Sequence, residues 1–296
     1  MAATGEPMEG ARRRGSLRNR IIRNLSHLIA GKATSAGIGL ISLALTARLL
    51  GPAAFGVVAL IESYCRLIDQ VLRLETWQAI IRYGTAPVLA GDRMSLGRLI
   101  KLGIMVDLFG ALLVAGVATA FVPVAGRFLG WDAEAQGLAR IYALALLFGV
   151  SSTPVGILRL FGRFAQMAWI DPALAVLRVV GLLTIVLFGG GLRAVIMLLV
   201  VLIVTERLAM TMLAWRALRQ AQVSGVIVRA PIGGWREEFP ELAAFLWSTN
   251  VAVLLRKATQ ETDTLALGFF IGPTGAGLYQ FARRIMQTVA KTAQML

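Results

Sequence analysis

The apolar residues of this chain come in stretches as long as a bilayer is thick, and that length leaves few folds open. Eight such stretches can be marked out, near residues 29–50, 55–79, 99–122, 139–158, 169–187, 194–213, 242–271 and 278–295. About 20 apolar residues span the hydrocarbon core as a helix, and inside that core every backbone amide and carbonyl must find its partner within the protein. The choice is therefore between helices and a closed β-barrel. Barrel strands alternate apolar and polar residues, whereas AVIMLLVVLIVT at 194–205 runs unbroken. The sequence thus predicts an all-α fold, a polytopic transmembrane helical bundle. Composition agrees, with 57% hydrophobic and 16% charged residues against about 25% charged in soluble domains. The second and seventh stretches are unusually polar for spans.

Topology follows from the basic residues, because cytoplasmic segments retain arginine and lysine. The N-terminal tail and the second, fourth and sixth connections hold seventeen of them. The odd-numbered connections hold four, namely Arg48, Arg127, Arg140 and Arg193. This bias predicts a cytoplasmic N-terminus in a bacterial inner (plasma) membrane. MAATGEPMEGARRRGSLRNR contains no short apolar run with a cleavage site, so the first span is expected to act as its own insertion signal. The net charge of +14 lies mostly in loops beside apolar spans, which points to anionic membrane lipids rather than nucleic acid. The Arg12 to Arg23 cluster is read as a topology anchor, with a lipid-binding arm as the alternative.

Several chemistries are excluded by what the chain lacks. Cys65 is its single cysteine and His27 its single histidine, so neither a disulfide framework nor a His/Cys metal site can be assembled within it. The phosphate-loop pattern GxxxxGK[ST] is absent. No cofactor is expected, and GGGL at 189–192 reads as a tight turn.

The pattern Gly-Pro-x-x-x-Gly occurs twice, at Gly51, Pro52 and Gly56 and again at Gly272, Pro273 and Gly277. The copies lie 221 residues apart, in LALTARLLGPAAFGVV and ALGFFIGPTGAGLY. Pro52 and Pro273 should stop or redirect a helix, and Gly56 and Gly277 permit close packing. Six expected spans separate the two copies, so both repeats enter the membrane in the same direction, about an axis along its normal. The polar stretch 214–241 reads as the link between two bundles. The expected organisation is a basic tail at 1–24, a first six-helix bundle at 25–218, a linker at 219–241, and at 242–296 the first two helices of a second bundle, truncated.

Ionisable side chains at membrane depth cost roughly 2.5–3.5 kcal/mol each on insertion scales, so they face a partner or a cavity. Glu62, Arg66, Asp69 and Arg73 share one face of the second span at spacings of four, three and four. They can form two i,i+4 pairs, line a water-filled cavity, or do both. Lys32, Ser35, Gly39, Ser42 and Thr46 share a face of the first span, where Lys32 either lines that cavity or snorkels to the cytoplasmic surface. In the seventh span, Asn250, Lys257, Glu261 and Thr264 share one face and Thr249, Arg256 and Asp263 another. Such a helix needs protein or water around much of its girth. Asp107 and Arg178 stand singly; Asp107 either carries a coupling proton or is a buried carboxylate satisfied by a neighbouring helix.

On these residues the chain resembles the polysaccharide flippases, also called O-antigen or lipid-linked oligosaccharide transporters, of the superfamily that includes lipid II flippases and multidrug exporters. The resemblance rests on RLLGPAAFG at 48–56 and DTLALGFFIGPTGAGLYQFARR at 263–284. It implies two six-helix bundles around a central cavity open alternately to each side, and transport of a polyprenyl pyrophosphate-linked oligosaccharide. It also implies that Lys32, Arg66, Arg73, Arg256 and Lys257 meet the pyrophosphate or acidic sugars. Guanidinium and ammonium groups in a low-dielectric cavity favour such an anion. Asp69, Asp107 and Asp263 are candidates for ion coupling or charge pairing, Asp263 matching the family's acidic position. The alternatives are a lipid II or small-molecule exporter of the same superfamily, and a membrane enzyme of glycan assembly. The enzyme reading has little to draw on, since Asp132 and Glu134 are the only acids clustered in the outside loops.

Overall fold

The computed structural model describes the backbone of residues 6–148 and 152–293, and the side chains of residues 37–148, 152–251, 253 and 261–287. Among the described residues every regular element is helical. Among the described residues five helical stretches are long and apolar enough to cross a membrane: Gly37–Leu72, Arg93–Leu129, Ala133–Leu160, Phe164–Leu187 and Leu192–Gln220. The expectation of eight spans is therefore met in part. Helix α1 (Glu6–Leu72) carries the first two expected spans as one element. Helix α11 (Leu242–Ala293) carries the last two, with the polar stretch RKATQETDT between its apolar parts.

Both long elements break at the repeated motif. Gly51 has φ 72° and ψ 170°, and Gly272 has φ 81° and ψ −179°. That left-handed φ is open to glycine and strained for other residues. Each break is followed by proline, which lacks an amide hydrogen and suits the first turn of the arm that follows.

The second arm of α1 ends at Leu72, earlier than the sequence predicts. Nothing local forbids the helix from continuing through LRLETW. The break is held from outside: the Glu75 amide donates to Asn250 Oδ1 at 2.5 Å and the Trp77 amide to Ser152 Oγ at 2.9 Å. These satisfy amides that the start of α2 (Trp77–Ala90) would otherwise leave orphaned.

Helix α3 (Arg93–Leu129) has 37 residues, about 55 Å at 1.5 Å per residue, well beyond the expected span. Its first turn is capped by the Asp92 carboxylate, which accepts from the Met94 and Ser95 amides. The Ser95 hydroxyl and those amides hold the Asp92 carboxyl below its usual range. A folded-state pKa below the unfolded value means the cap is at full strength above about pH 4 and is lost as pH falls through the lowered value. Asp92→Ala is expected to cost about 1 kcal/mol at neutral pH. The melting difference from wild type should shrink as the pH is lowered through that range; a difference that stays constant would contradict the assignment.

The chain then returns through α4 (Ala133–Ala145) and α5 (Ser152–Leu160), and passes through the short α6 (Phe164–Ala168), α7 (Ile170–Leu187) and α8 (Leu192–Gln220). The connection that follows contains α9 (Ser224–Arg229) and α10 (Trp235–Glu238) and is bound to α3. Arg98 pairs with Glu238 and donates to the Pro231 carbonyl, and Lys101 Nζ donates to the carbonyls of Val228 and Ala230. Gly97 leaves room for Val226.

The main core joins the second arm of α1 to α3, α4, α7 and α8 through Leu60, Ile61, Val114, Ala139, Leu182 and Ile196. Tyr64 crosses it, donating to the Ala118 carbonyl at 2.6 Å with its ring edge-on to Trp131. Burial among helices in a bilayer stabilises through close packing and internal hydrogen bonds rather than escape from water.

Candidate functional site

The two Gly-Pro repeats pack against each other. A methyl group on Gly56 would fall on the Pro273 carbonyl, and one on Gly277 would lie 3.0 Å from the Pro52 carbonyl and 2.9 Å from the Gly56 Cα. A shift of 221 residues exchanges these two contacts, Gly56 with Pro273 and Gly277 with Pro52. The glycines thus let one arm of α1 touch one arm of α11 backbone to backbone. The close packing expected at Gly56 and Gly277 is thus packing of the two motifs on each other, each being half of one crossing. Phe55 and Phe281 flank it edge to face at 6.5 Å.

About two turns from the crossing lies a cluster of charges. Glu62, 7% exposed, accepts from Arg66 at 3.0 Å on its own helix and from Arg284 at 2.5 Å on α11. Arg66 also lies 3.9 Å from Glu261. Arg178 of α7 is within electrostatic reach of Glu62. Among the described residues the cluster thus holds three guanidinium groups, of Arg66, Arg178 and Arg284, and two carboxylates, of Glu62 and Glu261, leaving one positive charge in excess. Arg178 Nε and Glu261 Oε2 are buried here without a hydrogen-bond partner among the described residues.

The other expected site residues fall in different places. Arg73 pairs with Asp69 at 2.5 Å and also donates to the Leu146 carbonyl. Two turns separate it from Arg66, roughly 10 Å along the helix. The i,i+4 pairs expected for Glu62 with Arg66 and Asp69 with Arg73 are both present.

Asp107, fully buried, accepts from the Thr76 hydroxyl at 2.9 Å and from the amides of Ser152 and Thr153. It caps the first turn of α5 from a neighbouring helix, where the helix dipole favours negative charge. Asp263 is exposed and accepts from Tyr279 at 3.2 Å. Lys32 and Ser35, and Arg256 and Lys257, lie outside the residues whose side chains are described. Ser42 and Thr46 return their hydroxyls to their own helix, at the carbonyls of Ile38 and Ser42. Asp132, one of the two clustered outside-loop acids, accepts from the Ala135 amide as the cap of α4.

Arg284 was not among the expected site residues, although a signal for it existed. The repeat offset places Glu62 opposite Arg283 and Ser63 opposite Arg284, so an acid in one copy corresponds to bases in the other. Glu261 and Arg178 were visible as charges at membrane depth, but their partners were not.

No solved structure matches the chain. It is similar to the inner membrane protein YghQ of Escherichia coli (strain K12), 28% identical over 287 residues that cover 93% of this chain and 78% of that protein. Residues 21–295 match the family described as polysaccharide biosynthesis protein. With nearly its whole length matched, the chain belongs to the polysaccharide biosynthesis protein family.

Proposed function

We propose that this protein is an inner-membrane flippase that carries a polyprenyl pyrophosphate-linked oligosaccharide from the cytoplasmic to the outer leaflet by alternating access. The observation that carries the reading is the excess positive charge around Glu62 where the two repeats meet. A cationic group held away from bulk water favours an anionic headgroup. Membership of a polysaccharide biosynthesis family supports a glycan-related substrate, and the similarity to an inner membrane protein supports the location.

In this reading the bundle of residues 25–218 rocks against a second bundle that begins near 242, with the basic tail on anionic lipid. Arg66 and Arg73, with Lys32, Arg256 and Lys257, take the pyrophosphate or acidic sugars, which compete with Glu62 and Asp69 for the arginines. Asp69, Asp107 and Asp263 serve as charge partners or coupling groups.

The test is deletion of the intact gene, followed by measurement of surface glycan and of the leaflet distribution of the polyprenyl pyrophosphate-linked precursor. Precursor held in the cytoplasmic leaflet, with surface glycan lost, is the expected result. Precursor that reaches the outer leaflet at normal levels but stays unpolymerised would overturn the reading in favour of a membrane enzyme of glycan assembly.

A further inference from the structure

A cavity of about 250 Å³ lies between α2, α3, α10 and the start of α11. Its wall includes Ala79, Leu99, Leu102, Leu246, Trp235 and Trp247. Thr76 also faces it, with a hydroxyl already engaged by Asp107 and Thr153. Apart from that hydroxyl and the two indole N–H groups, the lining side chains offer hydrocarbon. A sugar, nucleotide or ion would lose its hydrogen bonds to water there without replacement, whereas walls of leucine and alanine left without contacts forfeit packing.

The cavity's position narrows the occupant further. Leu99 and Leu102 open the third expected span, which the arginine distribution places at the cytoplasmic end. Tryptophan is enriched at that boundary between headgroups and hydrocarbon. One turn along α2 from Ala79 of the wall, Arg82 has a side chain 55% exposed and a loose contact with Glu241, at 3.6 Å. Its guanidinium lies over the Phe245 ring, leaving edge N–H groups suited to a phosphate. The walls come from both sides of the 219–241 linker, α2 and α3 before it and α11 after it. Arg73, the residue before Leu74 of the wall, belongs to the set proposed above to meet the pyrophosphate.

We infer that this cavity holds the isoprenoid chain of the lipid carrier near its phosphate end, with Arg82 at the phosphate. The inference rests on the flippase reading for the identity of the lipid. A phospholipid acyl chain satisfies the same apolar wall, but as a general solvent it has no reason to select a slot between the two halves.

The test uses the full chain in nanodiscs of phosphatidylethanolamine and phosphatidylglycerol, with two photoprobes: polyprenyl phosphate carrying a diazirine on its chain, and phosphatidylglycerol carrying one on an acyl chain. The isoprenoid probe should label peptides containing Trp235 and Trp247, and unlabelled polyprenyl phosphate should compete. Ala243→Trp, which fills the cavity from α11, should lower labelling about tenfold, as should Leu246→Trp. Ala244→Trp, on the neighbouring exposed position outside the lining, should leave it unchanged. Arg82→Gln should weaken competition by the phosphate form and leave that of the free polyprenol unchanged.

Equal labelling of the same peptides by the phospholipid probe would overturn the inference in favour of ordinary lipid. So would labelling that survives both filling variants in well-folded protein, or the absence of label from these peptides. The leaflet measurement separates the two readings. Trapped precursor without cavity labelling retains the flippase and removes this site, and cavity labelling without trapped precursor does the reverse.

Discussion

A single methyl group at Gly56 is expected to destabilise the protein by about 3 kcal/mol, the upper end of the usual range for overpacking. The obstacle is the Pro273 carbonyl, which belongs to backbone and cannot rotate away as a side chain would. Relief requires the arms of α1 and α11 to separate, and that pulls on the Glu62 to Arg284 contact below. Gly277→Ala should act in the same direction, since its methyl meets the backbone of Gly56 and Pro52. Gly116→Ala, at a helical glycine with open space around it, should be neutral or stabilising by up to about 1 kcal/mol from helix propensity. Apparent melting midpoints in detergent at one fixed scan rate provide the comparison. Equal midpoints for Gly56→Ala, Gly116→Ala and wild type would show that the crossing does not exist in solution.

The second large effect is expected at Glu62. Glu62→Gln removes the carboxylate that holds Arg66 and Arg284 together and leaves Glu261, 3.9 Å from Arg66, as the cluster's remaining carboxylate among the described residues. Breaking a buried ion pair from one side costs about 3–5 kcal/mol, because the remaining charge stays buried without its partner. Arg284→Gln should cost less, since Glu62 retains Arg66. The double variant Glu62→Met with Arg284→Met should recover much of the loss, as removing both charges removes the unpaired group. A double-mutant cycle is expected to give a coupling of about 1.5–3 kcal/mol. A coupling below about 0.5 kcal/mol would mean that the two residues act independently. If Arg66 also binds the headgroup, Arg66→Gln should fold, since Glu62 retains Arg284, yet fail to restore surface glycan.

What could be read from the sequence divides along the length scale of the interactions. The pairs of Glu62 with Arg66 and Asp69 with Arg73 were legible because an α-helix fixes what lies four residues away. The breaks at the Gly-Pro motifs were legible for a related reason, since proline and glycine act on their own backbone. The end of α1 at Leu72 was not, because the groups that hold it, Asn250 and Ser152, lie far along the chain. The same holds for Asp107, whose place above α5 depends on how α3 and α5 pack. Equivalence of the repeats was visible in spacing, but their mutual contact depends on the arrangement of the halves.

The crossing also bears on how such a chain could have arisen. Two copies of one ancestral half could have met through identical Gly-Pro turns, since the turn contacts are exchanged by the repeat shift. The charges below them no longer permit it: the first repeat contributes Glu62, whereas the corresponding stretch of the second contributes Arg283 and Arg284. Two first halves would bring like carboxylates toward each other, and two second halves would do the same with guanidinium groups. Glu62 of the first repeat and Arg284 of the second now complete each other, so that at this contact neither repeat could stand in for its sibling.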